Sequence, residues 1–125
     1  MKADYDLAGR VIGAAMEVHR ILGRGFVESV YEKALVIELQ ASILTVERQK
    51  PLQVKYKDQS VGGFIADLII EQEVIVELKS VQCIRPIHEV QLVNYLTATG
   101  IDEGVLFNFG TGSLQFKKKF RKPKH

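Results

Sequence analysis

Asp67, Glu77 and Lys79 are three ionisable residues in "FIADLIIEQEVIVELKS", residues 64–80, where most neighbours are apolar. An unpaired charge taken out of water costs several kcal/mol, so such groups are normally paired, neutralised or bound to a metal. Two carboxylates brought close repel each other and push one pKa up unless a cation sits between them. Asp and Glu oxygens are the donors that a hard cation such as Mg²⁺ selects. A lysine beside them can hold a water or offset negative charge developing on a phosphate. The same three residues would also make an internal salt-bridge cluster without chemistry, and taken alone they leave both readings open.

The elements around them decide whether the groups can meet. With Glu71, Gln72 and Glu73 as a turn, the hairpin pairs Ile70 with Val74 and sets Asp67 opposite Glu77. Alternation along a strand then puts Lys79, Ile69 and Ile75 on the face of Glu77, and Leu68, Ile70, Val74, Val76 and Leu78 on the other. Upstream, Leu7, Val11, Ala14, Ala15, Val18 and Leu22 recur at helical spacing, which predicts a helix from about Asp4 to Leu22. The glycine-rich "LGRG" ends it, and a second helix follows from near Phe26 to Ala41. Strand signals come next in "LTVERQK", "LQVKYKD", "GGFIADLII" and "EVIVELKS", divided by Pro51, the "KDQS" turn and the "EQE" turn. Pro86 opens a third helix that Gly100 closes, and "EGVLFNFG" and "SLQFKKKF" read as the last strands. The predicted order is α-α-β-β-β-β-α-β-β, an α/β fold with one sheet and helices on its faces.

Three motifs in this order carry a resemblance. Asp67, followed ten positions later by Glu77-x-Lys79, is similar to the metal-binding core of the PD-(D/E)XK nuclease superfamily, with Ala66 near the place of the proline in that name. "GFVESVYE", Gly25 to Glu32, resembles the Gly-x-x-Glu-x-x-Tyr signature of the GxxExxY branch. Gln91 and Tyr95 resemble the Gln-x-x-x-Tyr arrangement of RecB-like and lambda-exonuclease-like nucleases, and the likeness runs from about Leu7 to Phe109. The resemblance implies a restriction-endonuclease-like central mixed sheet and Mg²⁺- or Mn²⁺-dependent hydrolysis of phosphodiester bonds in DNA. It implies Asp67 and Glu77 as metal ligands, with the main-chain carbonyl of Leu78 and with Glu28 reaching in from its helix. Lys79 would position the attacking water or stabilise the transition state. Gln91 and Tyr95, on one helical face, would orient Lys79 or contact a substrate phosphate.

Plainer roles exist for each residue. Glu28 in a first helical turn favours the macrodipole whatever else it does. Glu32, one turn on, would stand behind the metal ligands or pair with Lys33. Tyr31 would support the site or serve as a core aromatic with a satisfied hydroxyl, and Tyr95 has the same alternative. His88, three residues before Gln91, would touch phosphate or cap its helix. His19 reads as a dipole partner, Gly25 as the kink aiming the second helix, and Cys83 as a small loop or buried residue.

At 125 residues, 46% hydrophobic and 26% charged, the chain has the size and composition of one globular domain. No apolar run reaches the roughly 18 residues of a membrane span. A lone cysteine excludes an internal disulfide, and with no apolar leader the expectation is a cytoplasmic protein. The net charge of +2 conceals an asymmetry, since "KKKFRKPKH" holds six of the 17 basic residues and leaves 11 against 15 acidic before it. We therefore expect a domain over residues 1–116 and a basic tail over 117–125 that continues the last strand or grips phosphates through Lys117, Lys118 and Lys119. The competing expectation is a catalytically silent module that binds nucleic acid or a protein and keeps a structural metal site. Such a small domain has no evident added DNA-reading element, so a second copy or a protein partner would complete the groove.

Overall fold

The computed structural model describes residues 6–121. Helix α1 spans Leu7–Leu22 and α2 spans Glu28–Ala41. Strands β1 (Val46–Tyr56), β2 (Gln59–Ile70) and β3 (Val74–Lys79) follow, then α3 (Pro86–Thr99), β4 (Glu103–Asn108) and β5 (Gln115–Phe120). The five strands form one sheet in the order β1-β2-β3-β4-β5. Pairing is antiparallel except between β3 and β4, which run parallel because α3 carries the chain back across the sheet. The predicted mixed sheet flanked by helices is therefore present.

The helices begin and end where local chemistry allows. Asp6 caps α1 by accepting from the Gly9 amide at 2.8 Å, and Gly23, at φ 69°, ends it. Residues 1–5, including the predicted helix start at Asp4, lie outside the described residues. Pro86 occupies the first turn of α3, the Arg85 amide donates to His88 Nδ1 there, and Gly100 ends the helix at φ 76°. Helices α1 and α2 cover one face of the sheet, with Val11, Ala15, Tyr31, Leu35 and Leu39 packed on Leu68, Ile70, Val76, Val105 and Phe107. Helix α3 covers the other, with Leu92 and Leu96 on Ala66, Ile69, Ile75 and Leu106. Gly104 lets α3 approach, since a Cβ there would stand 2.9 Å from the Leu92 side chain.

One expectation is corrected. The two strands predicted on either side of Pro51 are a single strand, β1, in which Pro51 pairs with Ile65. A proline removes one ladder donor, which an edge strand tolerates because one side of it has no partner. Strand β1 is such an edge. Lys57 and Asp58, both at positive φ, form the two-residue turn to β2 with the handedness favoured in tight hairpins. At the other edge, Lys117, Lys118, Lys119 and Phe120 lie within β5. Residues 122–125 of the basic tail lie outside the described residues.

Candidate active site

The β2–β3 hairpin has the predicted register: Ile70 faces Val74, Ile69 faces Ile75 and Leu68 faces Val76. One more step would place Asp67 opposite Glu77, and there the ladder stops. The Asp67 amide instead donates to Glu77 Oε2 at 2.9 Å, and the Leu78 amide donates to Asp67 Oδ2 at 2.9 Å. Each carboxylate thus satisfies backbone on the neighbouring strand where the two strands part. Alternation also slips here, because Ala66 and Ile69, three apart, both pack beneath α3. Gln49, across from Asp67 on β1, takes a positive φ of 48°.

The fork concentrates negative charge. Glu77 is 8% exposed, and its pKa is pushed up to about 8, first by burial and then by the charge of Asp67. The Asp67 amide and the Lys79 ammonium work against that rise. Burial also raises Asp67, with the charges of Glu32 and Glu28 adding to it, while the Leu78 amide and the Gln49 side chain oppose. Glu28 is exposed at the start of α2, and its charge reaches Asp67, Glu77 and His88.

Helix α3 supplies the opposite wall. Tyr95 stacks on Phe64 with ring centroids 3.9 Å apart, and its hydroxyl lies within hydrogen-bonding reach of Gln91. Burial raises the Tyr95 pKa, and the charges of Glu77 and Asp67 raise it further. His88 Nδ1 accepts from the Arg85 amide at 3.1 Å, so the ring caps α3 while it also lies within the field of Lys79 and Glu28. Burial and the positive charges of Lys79 and Arg85 lower its pKa. Asp67, Glu77, Lys79, Glu28, His88, Gln91 and Tyr95 are therefore electrostatic or hydrogen-bonding neighbours, drawn from β2, β3, α2 and α3.

Other expected residues stand behind the acids, as Glu32 does through Gln49, or away from them. Tyr31 is fully buried, stacked on Phe109 at 4.5 Å, and its hydroxyl donates to the Gly23 carbonyl at 2.6 Å and accepts from the Phe26 amide at 3.2 Å. It fastens the α1–α2 loop. Glu32 is buried and pairs with Arg48 at 2.9 Å and with Gln49 at 2.5 Å, not with Lys33. Leu78 meets the site through its amide. Lys118 pairs with Glu103 at 3.6 Å and Lys119 with Glu89 at 3.1 Å, while Lys117 lies beside Cys83 and Phe116. These lysines lie two strands from β3, on the far edge of the sheet.

Several contributors escaped the sequence reading. Asn108, beside Lys79 in the β3–β4 register, is fully buried and accepts from the Val81 and Gly110 amides at 3.0 and 2.9 Å. It shapes the loop that leaves Lys79, and a lone Asn inside "VLFNFG" was the available signal. His19 is buried, donates to the Thr111 carbonyl at 2.9 Å and lies against Phe109, so it pins the β4–β5 loop and is not simply a dipole partner.

The donor set suits a hard cation. Among the described residues, no three His, Cys, Asp or Glu side chains are grouped so as to hold a metal ion by themselves, which the protein ligands of a structural zinc site would need. Mg²⁺ is commonly held by one or two carboxylates with water completing the shell. Two carboxylates whose pKa values are raised by burial and then by neighbouring acids match that pattern, with lone pairs left over after their backbone bonds. Among the described residues no helix is long and apolar enough to cross a membrane.

The family model for the PD-(D/E)XK nuclease superfamily matches residues 5–122. Among solved structures, the crystal structure of SSO0001 superposes with a TM-score of 0.60 at 15% identity, over 78% of this chain and 52% of that one. The chain thus spans about half the length of that protein, and the likeness speaks for the fold. No curated protein matches the sequence.

Proposed function

Because the chain belongs to the PD-(D/E)XK nuclease superfamily, we propose that it hydrolyses phosphodiester bonds of nucleic acid, DNA in the first instance, and that it falls in the GxxExxY branch. The observation that carries this reading is the fork at Asp67 and Glu77, where two strands separate and their carboxylates converge beside Lys79. Asp67 and Glu77 would hold Mg²⁺ or Mn²⁺, with Glu28 and the main chain at Leu78 as additional donors. Bound there, the cation supplies Lewis acidity.

The chain's own residues do the rest. Lys79 offsets charge on the phosphate or holds the attacking water, and its ammonium already acts on Glu77 and His88. Gln91 and Tyr95 present an amide and a hydroxyl toward the same space, and the stack on Phe64 fixes the tyrosine ring. The Gly-x-x-Glu-x-x-Tyr pattern acquires a physical meaning that supports the branch assignment. Gly25 takes a φ of 113°, Glu28 turns its charge to the acids, and Tyr31 ties the loop from behind.

The test is incubation with linear and circular, single- and double-stranded DNA and with RNA, in Mg²⁺, Mn²⁺ or EDTA, beside Lys79→Ala. Cutting that needs the metal and fails in the variant supports the reading. Metal binding with no cutting of any substrate moves the function to a binding module, and light scattering then reports whether a second copy is present.

A further inference from the structure

A cleft of about 840 Å³ opens beside Glu28 and is walled by Arg24, Phe26, Val27 and Gln82. Its floor is the loop after Lys79, where Ser80 Oγ donates to the Phe26 carbonyl at 2.8 Å. The Phe26 amide is held from the other side by the Tyr31 hydroxyl. Both backbone polar groups of Phe26 are thus fixed, one to α2 and one to the residue following Lys79. That investment leaves the Phe26 side chain 47% exposed and that of Val27 68% exposed. Arg24 makes no ion pair or hydrogen bond with a described residue.

We infer that this cleft is a subsite for an unpaired nucleobase next to the phosphodiester that is cut, with Phe26 as the stacking surface and Arg24 as the contact to the adjoining phosphate. The inference rests on the phosphodiesterase reading and narrows its substrate to single strands or frayed ends. Three features favour that occupant. Glu28, whose charge reaches Asp67 and Glu77, also lines the cleft. An exposed aromatic ring on a pinned backbone, set edge-on to Tyr31, suits a base, which has a flat π-surface whatever its identity. A guanidinium with no partner among the described residues suits a phosphate. A second copy of the chain is a poorer fit, because Arg24, Glu28 and Gln82 surround the two apolar side chains, and charged residues are depleted at the core of a stable interface. Bases inside a duplex are already stacked on each other, so only an unpaired one can turn to Phe26.

The test uses the full chain carrying Lys79→Ala, so that substrate survives, with Mg²⁺ and oligonucleotides bearing 2-aminopurine in a single strand, at a frayed end or inside a blunt duplex. A rise in emission, as the base leaves its neighbours, is expected for the first two and not for the third. Phe26→Ala should weaken single-strand affinity by about 5- to 100-fold, leave blunt-duplex affinity unchanged, and be rescued by Phe26→Tyr. Arg24→Ala should reduce the salt dependence of single-strand binding. Circular dichroism of each variant excludes misfolding. If the parent binds or the wild type cuts nucleic acid while Phe26→Ala behaves as its parent, or loses single strand and duplex equally, the subsite is wrong and the phosphodiesterase reading stands. If no nucleic acid is bound or cut, both fall. A dimer that Phe26→Ala dissociates would also overturn the subsite.

Discussion

Glu77→Gln offers the sharpest test of the acidic fork. The folded protein holds the Glu77 pKa up at about 8, against an ordinary value of 4.5. A carboxyl raised in this way binds its proton more tightly in the folded state than in the unfolded one, so stability is fully present below pH 4.5 and is lost as pH climbs through 8. Each pKa unit corresponds to about 1.36 kcal/mol, which sets a ceiling of roughly 5 kcal/mol on the loss. That is a large share of the ~5–15 kcal/mol that holds a domain folded. Glutamine keeps an oxygen to accept from the Asp67 amide and removes the ionisation. The metal-free variant should match wild type at pH 4 and exceed it at pH 8.5 by about 2–5 kcal/mol, a melting shift on the order of 10 °C. Urea unfolding in EDTA at half-unit pH steps, with the two proteins compared at each step, isolates this group from every other titration. Parallel pH slopes for wild type and variant would refute the argument. Adding Mg²⁺ at pH 8.5 should stabilise wild type and leave Glu77→Gln nearly unmoved.

Other perturbations separate the remaining roles. Lys79→Ala should keep Mg²⁺ affinity, measured by calorimetry, within a few-fold of wild type and lower turnover by about 100-fold or more; full activity would exclude the lysine from the chemistry. Tyr31→Phe retains the stack on Phe109 and loses the two loop hydrogen bonds, so we expect a stability loss of about 1–2 kcal/mol by chemical denaturation, with faster hydrogen exchange at the Phe26 amide. Removing residues 122–125 leaves β5 intact and takes away Lys122 and Lys124. If those lysines grip phosphates, the slope of log affinity against log salt should fall by about 2, and an unchanged slope would assign the tail no part in binding.

What the sequence made legible was mostly local. The apolar run broken by "EQE" sufficed for the β2–β3 register, and four-residue spacing sufficed to bring Gln91 and Tyr95 to one face. The misreading at Pro51 came from treating a proline as a boundary, when its effect depends on which strand is an edge, a property of the whole sheet. For Glu32 the sequence left open a place behind the acids or a pairing with Lys33, and its partners Arg48 and Gln49 lie on β1, where spacing along a helix cannot point. His19 and Asn108 likewise take their meaning from loops far away in the chain. The slip of alternation at Asp67 was also out of reach, because it arises where two strands diverge and not from a residue type.

The two bonds at that divergence have a consequence for the entropy of binding. Asp67 and Glu77 are each tethered at 2.9 Å to an amide of the opposite strand, so folding has already removed much of their rotamer freedom. A ligand arriving there has less ordering left to impose, and affinity gains accordingly. The tethers also make the amides of Asp67 and Leu78 natural reporters: whatever steadies the carboxylates should slow proton exchange at both together.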